Sequence, residues 1–135
     1  MAIAPVIAVD TNIVVRLITN DDPIQVQRVL ALLQREDLFV SHTVLIKAEW
    51  VLRSAYRYDR LRIANALFEL SDLANLHFQA EDDVRWALGR YRLAGEFADY
   101  VHIAAARPIG RFASFERKLA VRAGPDSPAA IEVLT

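Results

Sequence analysis

Four carboxylates stand where the sequence could gather chemistry: Asp10, Glu49, Asp99 and Glu116. They lie 39, 50 and 17 residues apart, so any cluster they form is tertiary rather than a local loop. Carboxylates brought within a few ångströms repel one another, and their ionised forms persist only beside a neutralising cation. Hard oxygen donors, in a chain with no Cys and no paired His, favour Mg²⁺ or Mn²⁺ over zinc. Such an ion positions a phosphodiester, stabilises charge in the transition state and acidifies water. The chemistry indicated is metal-assisted hydrolysis of a nucleic-acid backbone. Taken singly, each acid also has an ordinary role. Asp10, with Thr11 and Asn12, offers three cap-competent residues in a row. Glu49 on a helix reads as a solvated or ion-paired side chain, Asp99 as a first-turn acid, and Glu116 as a surface charge near Lys118. Only the joint arrangement points to a site.

The elements that must position these acids follow from hydrophobic patterning. Val6 to Val9 is a short apolar run closed by Asp10, which predicts a strand buried on both faces, as in a parallel sheet. Asp21-Asp22-Pro23 starts a predicted amphipathic helix over 22–36, with Val26, Val29, Leu30 and Leu33 on one stripe. Leu38 to Val40 predicts a strand, and Ser41 to Thr43 a cap for a helix bearing Val44, Ala48, Val51, Leu52 and Ala55. Glu49 falls one residue off that stripe. A break at Tyr58-Asp59 precedes a helix with Ala64, Leu67, Phe68 and Ser71, and Leu76 to Phe78 is a weaker strand. Val84, Ala87, Leu88 and Tyr91 mark another helix, with Glu81, Asp82 and Asp83 at its electropositive start. Ala98 to Arg107 reads as a small-residue helix ended by Pro108 and Gly110. Arg111 to Ser114 reads as a strand, Phe115 to Arg122 as a short helix, and Ala130 to Leu134 as an edge strand. Strands alternating with helices predict an α/β sandwich with a mostly parallel sheet. Its sites belong beyond the strands' carboxyl ends, where Asp10 and Glu116 fall.

Composition narrows the field. At 135 residues one domain is expected, long enough to fold without disulfides or structural metal. The lack of Cys excludes a disulfide scaffold, a Cys-ligated zinc site and a thiol nucleophile. A net charge of −1 argues against coating nucleic acid by bulk electrostatics, though not against a local basic groove. The start, Met1 to Asn12, has no basic region of a targeting signal, and no apolar stretch reaches membrane-spanning length, so the cytoplasm is expected.

Four segments, in order, carry a family resemblance: VIAVDTNIVVR (Val6 to Arg16), VSHTVLIKAEWVL (Val40 to Leu52), GEFADYVHIAAA (Gly95 to Ala106) and ASFERKLA (Ala113 to Ala120). Together they make the chain resemble the PIN-domain ribonucleases, and specifically the VapC-type toxins of bacterial toxin–antitoxin pairs. The resemblance implies a PIN-like three-layer α/β/α sandwich occupying residues 1–135 as a single domain. It implies an endoribonuclease in which Asp10, Glu49 and Asp99 hold Mg²⁺ or Mn²⁺. Glu116 stands where the family usually has Asp, which leaves open whether one or two metals bind. Ser114 matches a Thr or Ser position, and Thr11 and Asn12 match groups that fix Asp10. The resemblance implies in-line hydrolysis of the phosphodiester by metal-activated water, leaving 5′-phosphate and 3′-hydroxyl ends. His102, three residues after Asp99, reads either as a ligand or as a packing residue. Tyr100 and His102 replace smaller or apolar residues of the family's pattern.

Partners follow from charge and from the resemblance. The chain has fourteen Arg and two Lys, an excess that composition bias alone can produce. Residues 53–62, RSAYRYDRLR, concentrate four Arg, one Asp and two Tyr, a pattern suited either to RNA phosphates and bases or to a solvated helix junction. Arg16, Arg53 and Arg57 are the candidate RNA contacts. The resemblance implies a homodimer and a VapB-type antitoxin whose C-terminal segment wraps the toxin, with Trp50, Phe68 and Trp86 as interface candidates. Two other readings stand beside this one. The first is a catalytically weak or inactive PIN-fold binding module, suggested by Glu116. The second is an α/β phosphoryl-transfer domain using Asp10, which Asn12 and Lys118 match poorly: one such site wants a second Asp at position 12, another a Lys after a well-formed late strand.

Overall fold

The computed structural model describes residues 5–135; Met1 to Ala4, the start of the segment read for targeting signals, lie outside the described residues. The chain divides into two compact units, Met1–Glu81 and Asp82–Thr135. In the first, strands β1 (Val6–Ala8), β2 (Asp37–Val40) and β3 (Leu76–Phe78) form a parallel sheet in the order β1-β2-β3. Ala8 stands opposite Phe39, and Val40 opposite Phe78, so the carboxyl ends of the strands share one edge. Parallel pairing needs crossover connections, and helices supply them. They are α1 (Thr11–Thr19), α2 (Pro23–Arg35), α3 (His42–Ser54) and α4 (Arg60–Ser71).

Each of these helices starts on a residue suited to the task. Asp10, Asp22, Ser41 and Asp59 accept the N–H groups of Ile13, Gln25, Val44 and Arg62, satisfying donors that the first turn leaves open. Pro23 follows Asp22 at the first helical position, where its missing N–H costs nothing. Asn20 ends α1 in the left-handed conformation (φ 55°), and its N–H closes on the Arg16 carbonyl. The core of this unit includes Val14, Val15, Leu38, Val40, Leu45, Leu52, Ile63 and Leu67, all essentially inaccessible to water.

The second unit contains α5 (Glu81–Leu93, its first residue belonging to the unit before), α6 (Phe97–Ala105), β4 (Arg111–Ser114), α7 (Leu119–Ala123) and β5 (Ala130–Val133). Strands β4 and β5 pair in parallel, Arg111 opposite Ala130 and Ser114 opposite Val133. Ile103, Leu119, Ala123 and Ala129 form a buried cluster, with Trp86, Phe112 and Ile131 packed against it.

The expected alternation of helices with parallel strands is therefore what the chain forms. Four details differ from the sequence reading. Strand β1 is not buried on both faces: Val6 and Ile7 are exposed, and Val9, just beyond it, is the buried residue. Helix α1 is signalled only by the cap-competent residues at its start, because Ile13, Val14, Val15 and Ile18 are β-branched and suit strands as well as helices. The buried stripe of α3 is Leu45, Ala48, Glu49 and Leu52, rotated from the expected one, so Glu49 lies within it rather than beside it. Helix α7 begins at Leu119, which leaves Phe115 to Lys118 as the connection after β4.

Candidate functional site

Asp10 follows β1 at the carboxyl edge of the sheet, held there by the Val9 N–H bonded to the Phe39 carbonyl (3.0 Å). One oxygen, Oδ1, caps α1 by accepting the Ile13 N–H (3.2 Å). The carboxylate is exposed and lines a cleft of about 410 Å³ with Asn12, Ile13, Arg16 and residues of α2. Thr11 and Asn12 are the first two residues of α1; the bond that fixes Asp10 comes from the backbone of Ile13. At the same edge His42 and Gln79 are joined twice. The His42 N–H donates to Gln79 Oε1 (3.0 Å), and His42 Nε2 lies 2.8 Å from the Gln79 carbonyl. This tie fixes the start of α3, the helix that carries Glu49.

Glu49 is 6% exposed, a buried carboxylate in an apolar stripe. Arg53, one turn on, forks onto it, Nε to Oε2 at 2.8 Å and NH2 to Oε1 at 3.4 Å. A buried carboxylate needs such a partner or a cation. Arg53, a candidate RNA contact, is thus engaged by Glu49.

Arg16 is likewise engaged. Its Nε donates to Gln25 Oε1 (2.7 Å), and its NH1 reaches Asp21 Oδ1 (3.2 Å) and the Tyr56 hydroxyl (3.1 Å). The Tyr56 hydroxyl donates to Asp21 Oδ2 (2.6 Å), and Thr19 Oγ1 lies 3.0 Å from Asp21 Oδ1. The Tyr56 hydrogen bond, foremost, holds the Asp21 carboxyl below its ordinary value; Thr19 and Arg16 add to the effect while desolvation opposes it. The aromatic pair of the 53–62 segment also has internal partners: the Arg62 guanidinium sits 3.7 Å over the Tyr58 ring, and Tyr56 meets Tyr58 edge-on. Arg57 is exposed and takes a left-handed backbone (φ 58°).

In the second unit, Asp99 is the third residue of α6, where the helix dipole favours an acid. Burial, first, pushes its carboxyl above the ordinary value; the neighbouring charges of Glu96 and Glu116 push the same way, while His102 and Arg122 oppose. Asp99 and Glu116 therefore stand within electrostatic reach of each other. Glu116 lies exposed in the turn after β4, its N–H bonded to Ser114 Oγ (3.0 Å) and its Oε1 accepting the Lys118 N–H (3.2 Å). Ser114 thus orients the Glu116 backbone. Tyr100 is core: 1% exposed, edge-on to Trp86, with its hydroxyl donating to the Ala94 carbonyl (2.6 Å). His102 is exposed. Trp50 is exposed, whereas Trp86 buries its indole nitrogen without a hydrogen-bond partner among the described residues. Among the described residues, no three His, Asp or Glu side chains are grouped closely enough to hold a metal ion.

The family model described as the PIN domain matches residues 7–123. The chain belongs to the PIN domain family. No curated protein and no solved structure matches it. The match spans both compact units and includes Asp10, Glu49, Asp99 and Glu116. PIN is generally a nuclease fold, and PIN domains are commonly metal-dependent.

Donor chemistry tests whether this PIN domain suits a divalent cation. The acids offer only hard oxygens, and Asp99 is a partly desolvated carboxylate pressed by two acidic neighbours. That is the environment a hard cation relieves, so the residues fit Mg²⁺ or Mn²⁺ and not a soft metal. The sequence reading missed Gln25, Arg28 and Arg35, which line the cleft beside Asp10. A signal for them exists: Gln25, Arg28, Leu32 and Arg35 recur at the spacing of one helix face. Tyr56 reads from the sequence as a base-stacking residue; its bonds to Arg16 and Asp21 join residues far apart along the chain.

Proposed function

We propose that this PIN domain is a Mg²⁺- or Mn²⁺-dependent endoribonuclease, residues 1–135 working as one domain, and that it is the toxin of a VapBC-type toxin–antitoxin pair. The observation that carries the reading is the PIN family match over residues 7–123, a span within which all four acids fall. In this proposal Asp10, Glu49 and Asp99, with Glu116, would hold the ion. When bound, it supplies Lewis acidity toward the phosphodiester and toward water. The chain's own residues do the rest. Asp10 is presented by the end of a strand and the start of a helix, which gives it a fixed backbone. Arg53 forks onto the buried Glu49 and orients it. Ser114 sets the turn that displays Glu116. Phosphodiester hydrolysis in line leaves 5′-phosphate and 3′-hydroxyl ends.

The VapB-type antitoxin and a homodimer belong to the same proposal, as does a cytoplasmic site of action. Support for a protein partner comes from exposed Ile24, Leu30, Trp50 and Leu61 on the helices between residues 22 and 73, and from exposed Leu73 just after α4. No helix among the described residues is long and apolar enough to cross a membrane. One observation favours the second reading, a PIN-fold binding module without catalysis: the Glu49–Arg53 ion pair gives Glu49 a cation other than a metal.

Expression in a bacterial host separates the two readings. A catalytic toxin arrests growth, and Asp99→Ala restores it while the protein accumulates to the same level. Arrest that persists undiminished in Asp99→Ala overturns catalysis as the cause.

A further inference from the structure

The cleft beside Asp10 combines charge and apolar surface in a way that the acids alone do not explain. Arg28 and Arg35 on α2 line it, and Ile13, Val29 and Leu32 form its apolar wall. Arg16 and Gln25, bonded to each other, also line it. Asp10 precedes Arg16 by six residues, roughly 9 Å along α1. With Arg16 paired to Asp21, Arg28 and Arg35 against the one carboxylate of Asp10 leave the cleft lining positive, in a chain whose net charge is −1.

The arginines differ in what they are free to do. Arg16 is consumed by Asp21, Tyr56 and Gln25. Arg28 is exposed and makes no hydrogen bond or ion pair among the described residues. Arg35 has only a long 3.9 Å approach to Glu36, and its side chain is 73% exposed. Seven residues of helix separate the two, roughly 10 Å, so they reach different phosphates of a strand rather than chelate one.

We propose that Arg28 and Arg35 form a phosphate-binding subsite for single-stranded RNA beside Asp10, with Ile13, Val29 and Leu32 as the apolar seat for a base or ribose. The proposal rests on the nuclease reading for its substrate. Charge selects the occupant. A polyanion neutralises the arginines, whereas a basic peptide meets like charge. A fork of planar donors matches phosphate oxygens. An apolar wall suits a strand whose bases are unpaired. The two arginines are positioning residues: they hold substrate and touch no reacting atom.

Binding and cleavage are measured separately on the native chain, Arg28→Ala/Arg35→Ala and Arg28→Lys/Arg35→Lys. The probe is a single-stranded oligoribonucleotide of about 12 nucleotides. Without metal, fluorescence anisotropy over a salt series reports affinity and its salt slope. The alanine pair is expected to weaken binding about tenfold and to lower the slope by about 0.7 for each phosphate no longer neutralised. The lysine pair keeps the slope, because it keeps the charge. With Mn²⁺, the cleavage rate at saturating enzyme stays as in the native chain, and the half-saturating concentration rises. Unchanged affinity and slope in the alanine pair overturn the subsite. So does displacement of the RNA by a polyglutamate peptide of matched charge, which marks a patch for any polyanion, an acidic protein included. Binding that falls as expected while no chain cleaves RNA upholds the subsite and overturns the nuclease reading instead.

Discussion

Arg16 and Arg53 show how little a residue type says about its use. Both are arginines near candidate acids, and both read equally well as RNA contacts; folded, one closes a network with Asp21 and Tyr56 and the other clamps Glu49. The i,i+4 spacing of Glu49 and Arg53 is a local cue to their pairing, whereas the bond from Arg16 to Tyr56 is set by which elements meet. The Tyr56–Asp21 bond spans thirty-five positions. It has a pH signature. Asp21 titrates below its ordinary 3.8 in the folded chain. A depressed carboxylate contributes stability above the unfolded value and loses it as pH falls through the folded one. Tyr56→Phe removes the largest cause of that depression. It is expected to lower the melting temperature at neutral pH, with the gap to the native chain narrowing as the pH drops below 3.8. A gap that stays constant across that range contradicts the assignment. Asp10, by contrast, is legible in both roles: a strand-ending acid and a cap-competent residue.

At the scale of elements, the strands and long helices are readable because their cues are local. Val84, Ala87, Leu88 and Tyr91, one stripe in the sequence, are all buried in α5. Asp22-Pro23 and Asp59 start helices as expected. The misses have physical reasons. Helix α1 is nine residues rich in β-branched side chains, and its packing against α3 outweighs their propensity. Patterning sets Glu49 beside the apolar stripe because a carboxylate does not count as a core residue; its burial is allowed by Arg53. The loop before α6 is not legible either. Gly95 has φ +86°, and a Cβ there would collide with the Tyr100 hydroxyl. That hydroxyl, on the residue after Asp99, ties α6 to the Ala94 carbonyl. Gly95→Ala is expected to destabilise the chain by about 1–3 kcal/mol. In a Tyr100→Phe background the collision with the hydroxyl is removed and that cost falls, while the close ring carbons and the left-handed backbone part remain. Equal stability of native chain and Gly95→Ala, by denaturant unfolding, contradicts this account.

For the whole molecule, the net charge of −1 conceals opposite local fields: the acids around Asp99 and the arginines of the cleft beside Asp10. A sum near zero therefore says nothing against a nucleic-acid partner. The absence of Cys is the more discriminating number, since it leaves hard oxygen donors as the candidate metal ligands. The PIN match runs through both compact units, each of which contributes two of the four acids. The central claim, metal-dependent hydrolysis of RNA through these acids, has one direct test. Asn caps a helix as well as Asp does, so Asp10→Asn keeps α1 capped while removing a charged oxygen donor. Cleavage of RNA is followed over a Mn²⁺ titration for the native chain and for Asp10→Asn, both freed of contaminating nuclease and shown to melt at the same temperature. The account predicts Mn²⁺-dependent cleavage by the native chain and a loss of about a hundredfold or more in Asp10→Asn. Undiminished, metal-dependent cleavage by a well-folded Asp10→Asn would contradict it.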